Sequence, residues 1–180
     1  EKNVIFFILF IWTLLAKMWY HCGSQCNKVV DCGGINMFMG EYHHNIDEKA
    51  RLVLPSKFRY ELGDTFVITR GLEGCLFIYS KDQWQKIVDK LNKLPFTKKD
   101  ARTFLRFFLS GAQEVSFDKQ GRIAIPAPLL SYASLKKECV VIGVNDRLEV
   151  WSADSFNDYF KANEENISDL AEDLFDGMEV

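Results

Sequence analysis

The sequence lacks the paired cysteines that staple small secreted domains. Its 180 residues include five cysteines, and no two of them form a Cys-x-x-Cys pair. Cys75 and Cys139 lie inside apolar runs, where a cysteine usually behaves as a small buried hydrophobe. We therefore expect no disulfide framework, and a reducing, cytoplasmic compartment is the expected setting.

An excess of basic residues is also missing. The chain has 22 Lys and Arg against 25 Asp and Glu, so its formal net charge is −3. Composition alone therefore argues against a nucleic-acid-binding protein. Such a protein would need its basic residues concentrated on one face, because the local potential governs binding. The 48% hydrophobic content is enough for a real core and excludes wholesale disorder.

Catalytic signatures are missing as well. The sequence contains no phosphate-binding loop and no nucleophile elbow. His21, Cys22, Cys26 and Cys32 form a cluster, but its Cys-x3-Cys and Cys-x5-Cys spacings match no standard zinc pattern. We expect no enzymatic activity, no metal, no cofactor and no small-molecule substrate.

Residues 1–36 differ from the rest of the chain. The run from Val4 to Leu15 is almost wholly apolar. It is short for a membrane span, which needs about 20 residues, and is closer to the core of a signal peptide. However, Glu1 stands beside Lys2, and no small-x-small cleavage site follows. We interpret 1–36 as a non-native upstream or leader segment before a natural start at Met37; a membrane anchor is the alternative.

The remainder of the chain contains an internal repeat. Four landmarks recur 71 positions later: Gly40, Asp47, Arg51 and Pro55 return as Gly111, Asp118, Arg122 and Pro126. The pattern predicts a first repeat over 37–95, a linking helix over 96–109, a second repeat over 110–162 and an acidic C-terminal helix or tail over 163–180. Thr97 is the predicted N-cap of the linking helix.

Each copy is predicted to contain a β-hairpin followed by a helix. The hairpin strands are Phe66–Thr69 with Leu76–Tyr79, and Val140–Val144 with Leu148–Trp151. Ser80 and Ser152 are the predicted N-caps of the helices. A recurring aromatic set is interpreted as core packing and not as a base-stacking platform: Tyr79, Trp84, Trp151 and Phe156.

The most specific motif is Asp-x-x-x-Arg, found in both copies at the turn between the first two strands. Asp47 and Asp118 are interpreted as turn scaffolds, because an Asp carboxylate accepts backbone N–H bonds further along a turn. Gly121 allows the chain to reverse through a positive φ. The basic residues at these tips are the predicted DNA contacts, since guanidinium forks match phosphates and guanine edges: Lys49, Arg51, Lys119 and Arg122, with Lys57 and Arg59 enlarging the patch in the first copy.

A second interpretation of the motif is purely structural. Asp and Arg four residues apart can form a local salt bridge that only pins the turn. The recurrence of the motif at a fixed offset, each time before an apolar triplet and Pro, favours the DNA-binding interpretation. His43 and His44 are replaced by Glu114 and Val115 in the second copy. We therefore expect them at the surface or an interface, on a strand exposed on both faces.

These residues resemble the bacterial MraZ family. The segments MGEYHHNIDEKARLVLPSKFR, TKKDARTFLRFFLSGA and FDKQGRIAIP carry the resemblance, which covers essentially all of Met37–Val180 and none of 1–36. It implies an α+β, mostly β fold, in which two tandem AbrB-like swapped-hairpin units form a compact β-barrel with short flanking helices. Chains of this family assemble into rings.

The resemblance also implies a function. It implies a transcriptional regulator, expected to be a repressor at the nucleoid, that binds direct DNA repeats in its own promoter upstream of the division and cell-wall gene cluster. Arg51 and Arg122 correspond to the DNA-contacting arginines. Ala50 departs from the Gly expected before Arg51, so a positive φ there would be strained. The alternatives are a membrane-tethered scaffold protein and an AbrB-like antitoxin.

Overall fold

A computed structural model describes residues 37–175 of the chain. The predictions for residues 1–36, including the leader, the membrane anchor and the cysteine cluster, lie outside the described residues, as does the end of the tail from 176 to 180. No helix within the described range has the length and apolar character needed to cross a bilayer. Helices account for 42% and strands for 32% of this range.

Within residues 37–175 there are eight strands, six α-helices and one 3-10 turn. The strands are β1 (Phe38–Asn45), β2 (Arg51–Val53), β3 (Thr65–Arg70), β4 (Leu76–Ser80), β5 (Gln113–Ser116), β6 (Arg122–Ala124), β7 (Glu138–Asn145) and β8 (Arg147–Ser152). The helices are α1 (Ser56–Leu62), α2 (Lys81–Leu91), α3 (Lys99–Ser110), α4 (Ala127–Tyr132), α5 (Ala153–Asn163) and α6 (Ile167–Phe175), with the 3-10 turn at Glu164–Asn166.

The two repeats exchange strands. Six antiparallel strands form one sheet in the order β1-β7-β8-β4-β3-β5. Strand β1 of the first copy therefore pairs with the hairpin of the second, and β5 of the second pairs with the hairpin of the first. Strands β2 and β6 form a separate two-stranded sheet that also joins the copies. The predicted α+β fold of two tandem swapped-hairpin units is confirmed.

The main core lies between the two sheets. Alternate residues of the hairpin strands point inward, as the period of two in a β-strand requires. They meet the buried residues of the small sheet and of α1 and α4, and the fully or almost fully buried members of this core include Leu52, Phe58, Ile68, Ile78, Ile123 and Leu148. The core thus fixes the small sheet, and with it the turns that begin β2 and β6.

A second core lies on the other face of the six-stranded sheet. The alternating residues of β4, β7 and β8 that point away from the main core contact α2, α3 and α5 there. Tyr79, Trp151 and Phe156 are buried in it, and Trp84 stacks on Phe108 with ring centroids 5.6 Å apart. The interpretation of the aromatic set as core packing is confirmed.

Two of the three predicted N-caps are correct. The hydroxyl of Ser80 accepts a hydrogen bond from the amide of Gln83, and that of Ser152 accepts one from Ser155. The prediction for Thr97 is wrong, because α3 begins only at Lys99 and its N-cap residue, Lys98, makes no side-chain cap hydrogen bond. The carbonyl of Thr97 instead accepts a hydrogen bond from the Arg102 side chain.

Strand β1 lies at an edge of the six-stranded sheet, as its exposed pattern predicts. His43 is exposed and hydrogen-bonded to Glu41, and the pKa of the half-buried His44 is lowered, by desolvation and then by the neighbouring His43. The thiol of Cys139 donates to the carbonyl of His44, and burial raises the pKa of that thiol to about 11. Cys139 therefore acts as the buried hydrophobe that the sequence predicts.

Candidate nucleic-acid interface

The two Asp-x-x-x-Arg turns have the same hydrogen bonds. Asp47 Oδ1 accepts the backbone amides of Lys49 and Arg51, each at 2.9 Å. Asp118 Oδ1 accepts those of Gln120 and Arg122, at 2.8 and 2.9 Å. One oxygen of each carboxylate thus holds the backbone of its turn.

The second carboxylate oxygen holds the arginine side chain. In the first turn, Arg51 Nε and Nη2 lie 2.7 and 2.6 Å from Asp47 Oδ2. In the second turn, Arg122 Nε and Nη2 both lie 2.7 Å from Asp118 Oδ2. Because a guanidinium has five donors in a rigid plane, this leaves Nη1 and the outer proton of Nη2 directed away from the carboxylate.

The small sheet brings the two turns together. In the antiparallel pairing of β2 with β6, Arg51 lies opposite Ala124 and Arg122 opposite Val53. Arg122 Nη1 lies 3.8 Å from Asp47 Oδ2, an ion-pair distance across the two copies. The arginine side chains are 29% and 22% exposed, so this four-residue cluster reaches the surface. The sequence did not predict this contact between the turns.

The electrostatics of the cluster follow from these bonds. The pKa of Asp118 is lowered to about 2, first by the hydrogen bond from the Arg122 amide and then by that from its side chain. The pKa of Asp47 is also lowered, and there the hydrogen bond from the Arg51 side chain is the largest cause. The same bond raises the pKa of Arg51. Both carboxylates therefore stay ionised well into the acid range.

This predicts the acid titration of the turn. Because the pKa of Asp118 in the folded chain lies below its ordinary 3.8, the ion pair stabilises the fold at every pH above that value and is lost as the pH falls through about 2. The side-chain carboxyl signal of Asp118, followed by 13C NMR, should titrate near pH 2. A midpoint at or above 3.8 would mean that Arg122 does not hold the carboxylate.

The backbone of the two turns differs in one respect. Ala50 and Gly121 occupy equivalent positions, and both have a positive φ, 58° and 72°. The expected strain at Ala50 is therefore present, since a residue with a Cβ adopts this conformation at a cost. At Gly121 there is a further reason for glycine, because the guanidinium of Arg59 occupies the space that a Cβ would need.

These differences predict opposite effects of two substitutions. Ala50→Gly relieves the strain at φ 58° and should stabilise the fold by roughly 0.5–1 kcal/mol. Gly121→Ala should destabilise it by about 1–3 kcal/mol, because it adds both strain and a clash with Arg59. Urea unfolding at a fixed protomer concentration measures both. If the clash contributes, adding Arg59→Ala to Gly121→Ala should recover part of the lost free energy of unfolding. No recovery would show that the Arg59 side chain does not lie against Gly121.

The other predicted contacts are distributed unequally. Lys49 and Lys119 are exposed within the two turns, and Lys57 is exposed on α1. The guanidinium of Arg59 lies against Gly121, in the turn of the second copy. The sequence contained a signal for this contact. The first copy has Arg59 and Ala50 where the second has Leu130 and Gly121, so the two copies differ at both positions of the contact.

Other polar clusters in the described part of the chain are weaker candidates for a functional site. Among residues 37–175, no group of three or more His, Cys, Asp and Glu side chains is arranged to hold a metal ion. A shallow depression of about 360 Å³ beside β1 and β7 is lined by His43, His44 and Glu138 among others. Its counterpart in the repeat, about 310 Å³ beside β3 and β5, is lined by Lys81 and Glu114 among others, and these two side chains form an ion pair at 2.8 Å. The paired turns recur in both copies, by hydrogen bonding and by position, and they bring two arginines to one surface.

A comparison with known families finds the same repeat. The family model for the MraZ protein, described as antitoxin-like, matches twice in tandem, over residues 37–107 and 108–177. The starts of the two matches are separated by 108 − 37 = 71 residues, which is the offset of the repeat. Each match contains one Asp-x-x-x-Arg turn.

Proposed function

The chain belongs to the MraZ family, and from that premise we propose that it is a sequence-specific DNA-binding transcriptional regulator that reads DNA with its two paired turns. The family is regulator-type and antitoxin-like, not an enzyme family, and it supports a DNA-binding regulatory role. The observation that carries the proposal is the juxtaposition of two identically bonded Asp–Arg turns, one from each copy, at a single surface.

The geometry suits recognition because the arginines are held in place before DNA arrives. Each guanidinium is fixed through Nε and Nη2 by an Asp of its own turn. In Arg51 the end that carries Nη1 is left to donate to guanine O6 and N7 or to two phosphate oxygens, whereas Arg122 Nη1 also lies 3.8 Å from Asp47 Oδ2 and would share its protons between that carboxylate and DNA. A side chain that is already ordered loses less conformational entropy on binding. The Asp–Arg salt bridge, which could also be interpreted as purely structural, is thus compatible with DNA contact.

The charge around the turns also supports the proposal. The two turns, residues 47–51 and 118–122, carry four basic and three acidic side chains, whereas the whole chain has a net charge of −3. Arg59, which lies against Gly121, adds another positive charge. This excess is small, so one chain should bind DNA weakly, and tight binding needs several chains on one duplex.

We extend the proposal to the assembled protein. Chains form a ring-shaped homo-oligomer whose turns face direct repeats in the promoter of the division and cell-wall gene cluster, and the protein acts there as a repressor at the nucleoid. Repeats about one helical turn apart, roughly 10 base pairs, would present the same groove to successive chains. Avidity then replaces the strong positive charge that the single chain lacks.

Fluorescence anisotropy tests the function directly. The full chain is titrated into a labelled duplex of its own promoter and into a scrambled duplex of equal length, at two salt concentrations. We expect tighter binding to the promoter and a steep loss of affinity with salt, because phosphate contacts release counterions. Equal affinity for both duplexes at both salt concentrations would contradict sequence-specific regulation.

The description of the family as antitoxin-like favours a second candidate function. An antitoxin of this type uses a segment outside the DNA-binding unit to hold a toxin. The chain has a segment of suitable character in α6, whose apolar side chains are exposed. This function predicts that α6 stays available for another protein.

A further inference from the structure

The two turns of the candidate interface are related by an approximate two-fold axis. In the small sheet, Leu52 of β2 lies opposite Ile123 of β6, which is its equivalent in the second copy. Arg51 and Arg122 begin these strands, one residue before the central pair in each. A protein with two-fold symmetry matches palindromic DNA, because each half contacts an equivalent half-site. Two identical turns would therefore bind a DNA site equally well in both directions.

Direct repeats need the opposite property. Every repeat runs in the same direction, so each chain must distinguish one end of its site from the other. The duplex backbone cannot supply this distinction, because its phosphates are arranged alike in both directions and carry no sequence information. Only a difference in how the two turns contact bases can orient the chain. The distinction must therefore come from a side chain that differs between the two copies.

The two copies differ in this way beside the second turn. The guanidinium of Arg59, on α1 of the first copy, occupies the space that a Cβ of Gly121 would need. The second copy has Leu130 at the position equivalent to Arg59, and the first turn has Ala50 at the position equivalent to Gly121. Arg59 thus adds to the second turn a guanidinium that has no counterpart at the first.

The charge of the two turns differs in the same direction. Residues 47–51 carry two acidic and two basic side chains, whereas residues 118–122 carry one acidic and two basic side chains. With Arg59 included, the second turn has two net positive charges and the first turn has none. The end of the surface at the second turn is therefore the more attractive one for the acceptor atoms of a base edge.

The guanidinium of Arg59 also differs in its partners from those of the turns. Arg51 and Arg122 are each paired with an Asp of their own turn. Arg59 Nε is buried and has no hydrogen-bond partner within residues 37–175. The side chain is only partly exposed, so the residues around it restrict its position. A restricted guanidinium whose donors the protein satisfies incompletely gains free energy when a ligand supplies acceptors.

We propose that Arg59 is a third base-contacting arginine and that it sets the direction in which each chain binds DNA. Its ligand is the O6 and N7 edge of a guanine beside the second turn, the base edge that a guanidinium matches best. The proposal deepens the DNA-binding function of the paired turns and rests on it. One end of the site then requires a guanine that the other end does not, so a reversed chain loses this contact. Leu130 cannot replace it, because leucine has no donor.

Replacement of single base pairs across the promoter site tests this contact. The full chain is titrated, by fluorescence anisotropy, into duplexes that each carry one replaced base pair. For the wild type we expect one G·C pair at the end beside the second turn whose replacement weakens binding roughly 10-fold. Arg59→Leu, which introduces the residue of the second copy, should lose this dependence and keep that at the pairs contacted by Arg51 and Arg122.

Two further variants separate base recognition from charge. Arg59→Lys keeps the positive charge but lacks the planar fork, so it should also lose the dependence on the G·C pair while retaining its affinity for scrambled DNA. Lys57→Leu is the matched control, because it removes an exposed positive charge from the same helix. It should weaken binding to all duplexes by a similar factor and keep the dependence on the G·C pair.

Photo-crosslinking reports the direction of binding itself. A photo-reactive amino acid replaces either Lys49 in the first turn or Gln120 at the equivalent position of the second, both of which are exposed. In an otherwise wild-type chain the two probes should mark separate bases at opposite ends of each site. In a chain with Arg59→Leu, each probe should mark both ends.

The outcomes distinguish this proposal from the proposed function. Separate marks that persist with Arg59→Leu, or an unchanged dependence of that variant on the G·C pair, would overturn the role of Arg59 and leave DNA binding by the turns intact. Probes that mark the same bases in the otherwise wild-type chain would overturn it as well. A wild type that binds promoter and scrambled DNA equally would contradict the proposed function, and this proposal with it.

Discussion

Replacing both Arg51 and Arg122 by alanine is expected to weaken binding to promoter DNA by at least about 100-fold. Each side chain presents one end of its guanidinium outward from a carboxylate that fixes it, and one bidentate contact to a base discriminates strongly against the wrong base. The loss should be much larger for the promoter than for scrambled DNA. Anisotropy titrations of the full chain at one salt concentration give both affinities.

Two controls separate recognition from charge and from folding. Lys161→Ala removes one exposed positive charge on α5, which packs on the face of the six-stranded sheet opposite the main core, and should change both affinities only slightly. Arg51→Lys with Arg122→Lys keeps the charge but removes the planar fork, so it should lower the preference for the promoter while retaining non-specific binding. If the alanine variant keeps its oligomeric mass and binds the promoter as tightly as the wild type, the turns are only structural.

Asp118→Ala should weaken binding to the promoter roughly 3- to 10-fold, although it removes a negative charge from the DNA-binding surface. The carboxylate holds the backbone through Oδ1 and Arg122 through Oδ2. Without it the guanidinium is free to rotate, and the entropy of fixing that side chain must be lost on binding. Electrostatics alone predict the opposite sign, because a less acidic surface attracts DNA more strongly.

Glu48→Gln is the matched control, because it removes a negative charge from the same surface without releasing an arginine. Glu48 is exposed in the turn of the first copy and holds no arginine among the described ion pairs. Its neutralisation should leave affinity unchanged or raise it slightly. Tighter binding by Asp118→Ala than by the wild type would show that the carboxylates oppose DNA binding and do not prepare the arginines for it.

Sequence reasoning could predict the local structure of the site because the information there is local. Asp47 and Arg51 are four residues apart, and the hydrogen bonds that join them lie within one turn. The recurrence at Asp118 and Arg122 indicated that the turn is a structural element shared by both copies. The hairpins and the buried aromatic set followed in the same way from alternation and turn residues.

Contacts between the copies could not be predicted from the residues alone. The approach of Arg122 to Asp47 depends on the register of β2 against β6, which is set by the packing of both sheets around the main core. The contact of Arg59 with Gly121 also crosses between copies. The error at Thr97 has a different cause: the carbonyls of Phe96 and Thr97 accept hydrogen bonds from the Arg102 side chain, and α3 begins only at Lys99, without a side-chain cap.

Two basic parts of the chain compete for the role of DNA contact. One is the paired turns, and the other is residues 81–110, which carry eight basic and three acidic side chains. Photo-crosslinking of the full chain to promoter DNA, followed by mass spectrometry of the linked peptides, distinguishes them in one measurement. The proposed function predicts crosslinks in the peptides that contain Lys49, Arg51, Lys119 and Arg122. Crosslinks confined to residues 81–110, with none at the turns, would contradict it.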